Sequence, residues 1–208
     1  MEVSSIEVGP FQANCWLVSN TNTKEALLID PGDEPDKILD WVRNKGVIIK
    51  YMVATHGHLD HVAASKHLSE KLGQKLHIHR EDIPILSRLR ESRLGLGLPP
   101  VDPPQSVNEI EEGFIFSLGD LEFKVIHTPG HTPGSICIYG EGIIFTGDLI
   151  FLGSVGRTDL PGGDTDLLKK SLKEKIITLP YSTKIFPGHG PETTVENEVK
   201  MNFFLKDL

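Results

Sequence analysis

Metal-binding residue types are concentrated in one short segment of this sequence. The segment THGHLDH, residues 55–61, contains His56, His58, Asp60 and His61. Imidazole and carboxylate groups together are the ligands that zinc, iron and manganese prefer, whereas calcium and magnesium favour oxygen ligands alone. A lone histidine or an aspartate at the start of a helix needs no metal to explain it, but four such groups this close together predict a metal centre.

Three further candidate ligands each follow a predicted strand in the second half of the chain. His131 lies within TPGHTPGS, residues 128–135, Asp148 follows the apolar run IIFTG, and His189 lies between glycines in KIFPGHGPE. Loops at strand ends are where α/β enzymes keep their reactive groups. Proline and glycine on both sides of His131 restrict the backbone and permit tight turns. We therefore expect these residues to join the first four in one catalytic centre.

Alternating strands and helices must position these groups. Short apolar runs bounded by Gly, Pro or Asn predict strands, and runs with helical spacing that end at glycine predict helices. Asp60 is expected to cap the helix HVAASKHLSEKLG, with His61 in its first turn. Further helices are expected near residues 165–178 and 194–205. Both halves of the chain read as strands followed by helices, which predicts two mixed sheets packed face to face with helices outside. No linker divides the sequence, so we expect a single domain over residues 1–208.

The segment LGLGLPPVDPPQSVN, residues 94–108, interrupts this alternation. Its glycines and prolines exclude a helix or a central strand. A stretch of that length without regular structure is either a functional loop or a plain surface connection. We expect it to cover the substrate side of the metal centre.

Composition excludes several classes of partner. The formal net charge is −8, which disfavours nucleic acid and anionic membrane surfaces, because both bind through clustered lysine and arginine. No apolar run approaches the roughly 20 residues of a membrane span, and the first residues lack the pattern of a secretory signal. We therefore expect a cytoplasmic protein that acts on a small molecule, with the oligomeric state left open. Cys15 and Cys137 lie in apolar runs and are expected to be buried free thiols.

The order and separation of the candidate ligands resemble a known family. The pattern H-x-H-x-D-H at residues 56–61, followed by His131, Asp148 and His189, resembles the metallo-β-lactamase superfamily of metal-dependent hydrolases. The resemblance implies a four-layer αββα sandwich with the metal site at one edge of the sheets. It also implies that one metal ion is held by His56, His58 and His131, that a second is held by Asp60, His61 and His189, and that Asp148 bridges them together with a water or hydroxide.

Three segments are similar to the glyoxalase II group, the hydroxyacylglutathione hydrolases, and to its compact bacterial and archaeal members. They are TPGHTPGS, GSVGRTDLPGGD and GHGPETT. This resemblance implies hydrolysis of a thioester of a 2-hydroxy acid, such as lactoyl-glutathione, by a metal-bound hydroxide that Asp60 helps to orient. The implied cofactors are two divalent metal ions, zinc first, with iron or manganese as alternatives. Arg157 and the segment 94–108 are candidates to contact the substrate, since arginine can hold a carboxylate through two hydrogen bonds.

The resemblance to glyoxalase II departs in one place. Typical members carry a further helical domain after the last histidine, which supplies the residues that bind the thiol. Residues 190–208 of this sequence suffice for one helix. The identity of the thiol carrier, glutathione or another thiol, therefore stays open at this point.

Two other functions fit the same residues. A persulfide dioxygenase with a single iron resembles the chain through the same histidine pattern and the segment GRTD, residues 156–159. A non-catalytic domain stabilised by metal is the third interpretation, although a structural site does not need a bridging carboxylate. The remaining histidines match none of the family's ligands, and we expect a structural role for the nearest one, His127; the others are His67, His77 and His79.

Overall fold

The structure of the protein, a computed structural model, describes residues 1–206 and contains two six-stranded sheets. The strands of the first sheet lie side by side in chain order. Their bounds are β1 (Glu2–Val8), β2 (Ala13–Ser19), β3 (Glu25–Ile29), β4 (Ile48–Val53), β5 (Leu76–His79) and β6 (Val107–Ile110). The first two neighbouring pairs are antiparallel and the next three are parallel, so the sheet is mixed.

The second sheet is built from the second half of the chain. Its strands are β7 (Ile115–Leu118), β8 (Leu121–His127), β9 (Ile136–Gly140), β10 (Ile143–Gly147), β13 (Lys184–Pro187) and β14 (Thr193–Thr194), and a short hairpin outside it pairs β11 (Ile150–Phe151) with β12 (Ser154–Val155). The order across the sheet is β14-β13-β10-β9-β8-β7. Within the described residues, β10 and β13 are the one parallel pair of neighbouring strands in this sheet.

Helices cover the outer face of each sheet. They are α1 (Pro35–Lys45), α2 (Leu59–Val62), α3 (Ser65–Leu72), α4 (Ile83–Leu86), α5 (Leu89–Gly95), α6 (Thr165–Ser171) and α7 (Val195–Met201). The first of these begins at a proline and ends at Gly46, which has a φ of 63°, because proline suits the first helical turn and glycine adopts the left-handed conformation at low cost. No helix in the described residues is long and apolar enough to cross a bilayer.

Three apolar cores separate these layers. Along β2, Cys15 and Leu17 face a core shared with α1 and α3, whereas Trp16 and Val18 face the core between the two sheets. A third core packs the second sheet against α6 and α7. The predicted four-layer αββα sandwich is therefore confirmed. Both cysteines are buried and unpaired, as expected; the second of them is Cys137.

The helix after the histidine cluster differs from the prediction. His58, not Asp60, precedes α2 as its N-cap, and Asp60 lies within the first turn. The chain then leaves the helix, because the N–H groups of Ala63 and Ala64 donate to the carbonyls of Gly32 and Pro31. These bonds to a distant loop divide the predicted single helix into α2 and α3. The predicted capping role of Asp60 was wrong because a one-dimensional helical pattern contains no information about such tertiary contacts.

The bounds of other helices and strands also differ from the prediction. The predicted helix near 165–178 is α6 followed by a π-helical turn at Leu172–Ile176, and the one near 194–205 is α7 followed by a 3-10 turn at Phe203–Leu205. The segment 94–108 begins inside α5 and ends inside β6, so the irregular connection covers residues 96–106. The edge strand β6 was not predicted, because its sequence VNEI alternates only weakly.

Candidate metal centre

The candidate ligands lie in loops at one edge of both sheets. In the first sheet, His56 and His58 follow β4, and Asp60 and His61 belong to α2. In the second sheet, β8, β10 and β13 run in the same direction, because β9 is antiparallel to β8 and β10 while β13 is parallel to β10. The loops after these three strands therefore meet at the same edge, and they carry His131, Asp148 and His189.

The first group of ligand atoms comes from His56, His58 and His131. Their ring nitrogens lie within 4.8 Å of one another, and Nδ1 of His58 is 2.9 Å from Nε2 of His131. Two of these residues belong to the loop after β4, and the third belongs to the loop after β8. The group therefore exists only because the two sheets pack face to face.

Asp60, His61 and His189 form a second group within the same distance limit. Nε2 of His189 lies 3.2 Å from Oδ2 of Asp60, and Nε2 of His61 lies 3.7 Å from that oxygen. Asp148 lies between the groups, with Oδ1 3.4 Å from Nε2 of His61 and Oδ2 3.6 Å from Nε2 of His131. The structure thus places all seven candidate ligands in one cluster.

Unpaired buried atoms indicate that this cluster suits metal ions. His56 Nε2, His61 Nε2 and Asp148 Oδ1 are buried without a hydrogen-bond partner, although buried polar atoms are nearly always paired. Ligands about 2.0–2.1 Å from a tetrahedral ion lie roughly 3.3–3.4 Å from one another. The separations of 3.2 to 3.7 Å between the carboxylates and the histidine nitrogens are close to that value, and Nδ1 of His58 and Nε2 of His131 are closer, at 2.9 Å. Imidazole with carboxylate fits zinc, iron or manganese.

The outer ring nitrogens are held by groups that aim the inner ones at the cluster. Nδ1 of His61 lies 2.9 Å from Oδ2 of Asp30, and Nδ1 of His131 lies 2.8 Å from the carbonyl oxygen of Arg157. Nδ1 of His56 lies 3.1 Å from Oγ1 of Thr55. Such contacts fix the ring orientation of metal-binding histidines. Sequence reasoning missed this role of Asp30, although its position directly after β3 is the same strand-end signal that identified the ligands.

Electrostatics divide the histidines into two kinds. Burial, followed by the neighbouring histidines, lowers the pKa of His56 well below its usual value, and burial is also the main cause that lowers the pKa of His58 to about 4. Both rings are therefore neutral at physiological pH and ready to bind a cation. Burial alone would lower the pKa of His61 too, but three carboxylates raise it well above the usual value; they are Asp148, Asp30 and Asp60.

An apolar cavity of about 400 Å³ opens onto the cluster. Its wall is formed by Leu59 of α2, Ile85 of α4, Leu89 of α5, Leu96 and Leu160. A second cavity of about 490 Å³ shares His58 and several of these apolar residues with the first. We call the two together the groove. Apolar walls with a few polar groups at one end are typical of small-molecule sites.

Arg157 lines this groove, but its guanidinium is already paired. Nε and Nη2 each donate a hydrogen bond of 2.7 Å to the carboxylate of Asp159. Asp159 thus occupies the Nε and Nη2 side of the guanidinium, and the remaining N–H groups, two on Nη1 and one on Nη2, are those that a substrate could contact. The backbone carbonyl of Arg157 has a separate role, because it accepts the hydrogen bond from His131.

The segment predicted to cover the substrate side lies mostly elsewhere. Among residues 94–108, Leu96 lines the groove. The carboxylate of Asp102 pairs with Lys66 and Arg90, and Val101 packs on the core beneath the first sheet. The prediction is therefore wrong for residues 97–106. The outer wall of the groove is formed by residues of α4 and α5.

The histidines without a family match do not join the cluster. His79 and His127 stack, with ring centroids 4.1 Å apart and an interplanar angle of 14°. One nitrogen of each ring lies within 4.8 Å of the other and of a carboxylate oxygen of Glu81, but this group is separate from the cluster, and Nε2 of His127 is 2.9 Å from the carbonyl of Pro133. His77 bonds the carbonyl of Met52. These contacts agree with the structural role expected for His127.

Comparison with known proteins places the chain in a family. The protein-family model described as the metallo-beta-lactamase superfamily matches residues 8–189. The chain belongs to this superfamily, which confirms the resemblance noted in its sequence. Hydroxyacylglutathione hydrolase GloC of Haemophilus influenzae is 36% identical over 211 residues, which cover 99% of this chain and 98% of that protein.

Two solved structures are similar over nearly their whole length. The BLEG-1 B3 metallo-beta-lactamase matches with a TM-score of 0.91 and 33% identity, over 99% of this chain and 100% of that one. TTHA1623 in a di-iron-bound form matches with a TM-score of 0.89 and 40% identity, over 97% of this chain and 100% of that one. Both support the sandwich fold described above.

Proposed function

We propose that the protein hydrolyses the thioester of a small 2-hydroxy acid, such as lactoyl-glutathione, at a centre of two divalent metal ions. One observation carries the proposal: two imidazole nitrogens and one carboxylate oxygen are buried and unpaired in a cluster of seven metal-binding side chains, at the mouth of an apolar groove. The similarity to hydroxyacylglutathione hydrolase GloC over nearly the whole chain supports the choice of substrate class.

The two groups of side chains assign the ligands. In this proposal His56, His58 and His131 would hold one ion, Asp60, His61 and His189 would hold the other, and Asp148 lies between the two groups. Bound there, the ions would supply a water of lowered pKa as the nucleophile and Lewis-acid polarisation of the substrate carbonyl. Zinc is proposed first, with iron or manganese as alternatives, because imidazole and carboxylate accept all three.

The protein's own groups position the substrate and limit the access of water. Apolar side chains of the groove, among them Ile85, Leu89 and Leu160, line the cavity beside the cluster, so a substrate that packs against them is proposed to displace water from it. Oδ2 of Asp60 lies 3.2 Å from Nε2 of His189 in the second ligand group, and Asp60 is proposed to orient the attacking water through its other oxygen. Arg157 is proposed to contact the substrate through Nη1, the nitrogen that Asp159 leaves available.

The proposal is tested by loading the metal-free protein separately with zinc, iron and manganese under anaerobic conditions. Lactoyl-glutathione is offered, and the released thiol is measured. We expect thiol release that requires a metal and disappears when a chelator is added. The absence of thiol release with all three metals would refute thioester hydrolysis.

A further inference from the structure

Asp82 is a buried carboxylate that lies outside the metal cluster. It ends the 3-10 turn Arg80–Asp82 between β5 and α4, and its exposed fraction is 0%. It forms no ion pair with any lysine, arginine or histidine within the described residues. A buried carboxylate without a cationic partner is costly unless hydrogen bonds satisfy its oxygens. The groups that donate hydrogen bonds to Asp82 therefore indicate its role in the structure.

Those partners are three donors, each 2.7 Å away. Oδ2 accepts from the backbone N–H of Gly57 and from the hydroxyl of Thr132. Oδ1 accepts from the backbone N–H of Gly134. Both carboxylate oxygens thus accept hydrogen bonds. The length of 2.7 Å is typical of hydrogen bonds to a charged group, which are stronger than neutral ones.

All three donors are neighbours of proposed ligands of one metal ion. Gly57 lies between His56 and His58, in the loop after β4 of the first sheet. Thr132 and Gly134 follow His131, in the loop after β8 of the second sheet. The carboxylate therefore joins the two loops whose separation sets the distance between His58 and His131.

The two glycines show how closely the loops approach this residue. A Cβ atom at Gly57 would lie 2.9 Å from the backbone oxygen of Asp82, and one at Gly134 would lie 2.7 Å from its backbone nitrogen. Contacts this short to backbone atoms leave no room for a side chain. The loops are thus packed directly on Asp82 as well as hydrogen-bonded to it.

We propose that Asp82 is a positioning residue for the ion held by His56, His58 and His131. It touches neither the ion nor these imidazoles, and it acts by fixing the two loops that carry them. The inference rests on the proposed two-metal centre. The second ligand group is supported differently, because Asp30 contacts His61 directly. Loss of Asp82 should therefore weaken the binding of the ion held by His56, His58 and His131 and leave the binding of the other ion unchanged.

Asp82→Asn is the main variant, because it preserves volume while its amide nitrogen must face at least one of the three donors. Thr132→Val removes a single bond. Glu198→Gln is the matched control: Glu198 is also buried, and its carboxylate accepts from the N–H of Gly153 and from the Thr193 hydroxyl, outside the ligand loops. The measurements are zinc per chain, zinc affinity by competition with a chelator, and the unfolding temperature of the metal-free full chain.

We expect wild type and Glu198→Gln to hold about two zinc ions per chain, because the outer contacts of each ligand group are intact in both. In Asp82→Asn one of the two should bind about 10- to 100-fold more weakly, the usual effect of removing an outer contact of a metal site. Thr132→Val should weaken the same ion by a smaller factor, and it carries the test if Asp82→Asn does not fold. Adding Asp82→Asn to His131→Ala should cause no further zinc loss, whereas adding it to His189→Ala should.

Zinc affinity in Asp82→Asn equal to wild type, or zinc loss equal to that of Glu198→Gln, would overturn the role of Asp82. A wild-type chain that binds a single zinc would refute the two-metal centre by itself, before any variant is compared. In that case the role of Asp82 is still decided by whether Asp82→Asn weakens that ion more than Glu198→Gln does.

Discussion

The metal cluster and the groove beside it differ in burial and in how their side chains are held. In the cluster, His56, His61 and His131 are at most 3% exposed, and each has its outer nitrogen engaged by a neighbouring group. In the groove, exposure varies from residue to residue: Leu96 is 58% exposed and Phe11 is 43% exposed, whereas Leu89 is 2% exposed. Cluster residues therefore depend on one another, whereas groove residues contribute separately through the apolar area they cover. Substitutions should cause large losses in the first region and graded ones in the second.

The largest effect is expected from Asp148→Ala. This carboxylate lies between the two ligand groups, so its removal should lower bound metal and reduce turnover by about 10³-fold or more, as for other groups that act as a unit. The measurement is metal content together with thioester hydrolysis. His127→Ala is the matched control and should keep wild-type metal content, because His127 faces His79 and Pro133 instead. Equal metal loss in the two variants would contradict the assignment.

Acidification should weaken metal binding. Burial lowers the pKa of His61, but Asp148, Asp30 and Asp60 more than offset this and raise it, so the metal-free ring stays protonated to a higher pH than usual. A cation must displace that proton. The zinc affinity should therefore be constant above the raised pKa of His61, and it should fall below that pKa by about tenfold per pH unit for each proton displaced. Chelator competition at several pH values measures this. A zinc affinity that does not change with pH would be inconsistent with the cluster as a ligand set.

Ile85→Ala tests the groove. Removing part of one apolar wall should raise KM for the thioester by about tenfold, the usual effect of a lost hydrophobic contact in a binding pocket. Metal content should not change, since Ile85 is an apolar residue of the groove wall and supplies no ligand atom. Leu94→Ala, on the neighbouring α5 but 53% exposed, should leave both quantities unchanged. A change in metal content with Ile85→Ala would mean that the two regions are not independent.

The smallest kinetic effect is expected from replacing residues 97–104 with a Gly/Ser linker. The pairs of Asp102 with Lys66 and Arg90 would be lost, but exposed ion pairs contribute only about 0–1 kcal/mol each. We expect a slightly lower unfolding temperature and a kcat/KM within about twofold of wild type, because these residues do not line the groove. Steady-state kinetics that show a much larger loss would restore the segment as a substrate-covering loop.

Features that depend on local sequence were predicted well. The fold class was recognisable because β-branched runs and helical patterns are local signals, and the seven candidate ligands were recognisable because each lies in a loop or helix start next to a strand end. The positions that were missed depend on long-range contacts. Asp82 joins loops of two sheets that are 25 and 50 or more residues away, and no periodic pattern marks it.

Other predictions were wrong because one polar group had several possible partners. Arg157 was expected to be available to a substrate, but Asp159, two residues later, takes two of its nitrogens. Asp60 has the residue type that favours an N-cap, yet the N-cap position of α2 is two residues earlier, at His58. Sequence identifies which groups can form such contacts, and the packed structure selects among them.

The proposed activity of the cluster is metal-dependent hydrolysis of a thioester. The most direct test offers lactoyl-glutathione and glutathione persulfide separately to zinc-loaded and iron-loaded protein, and follows thiol release and oxygen uptake together. We expect thiol release from the thioester without oxygen uptake, with a rate that rises through the acidic pH range and levels off near neutrality. Oxygen uptake with the persulfide while the thioester stays intact would contradict it and establish the iron dioxygenase instead.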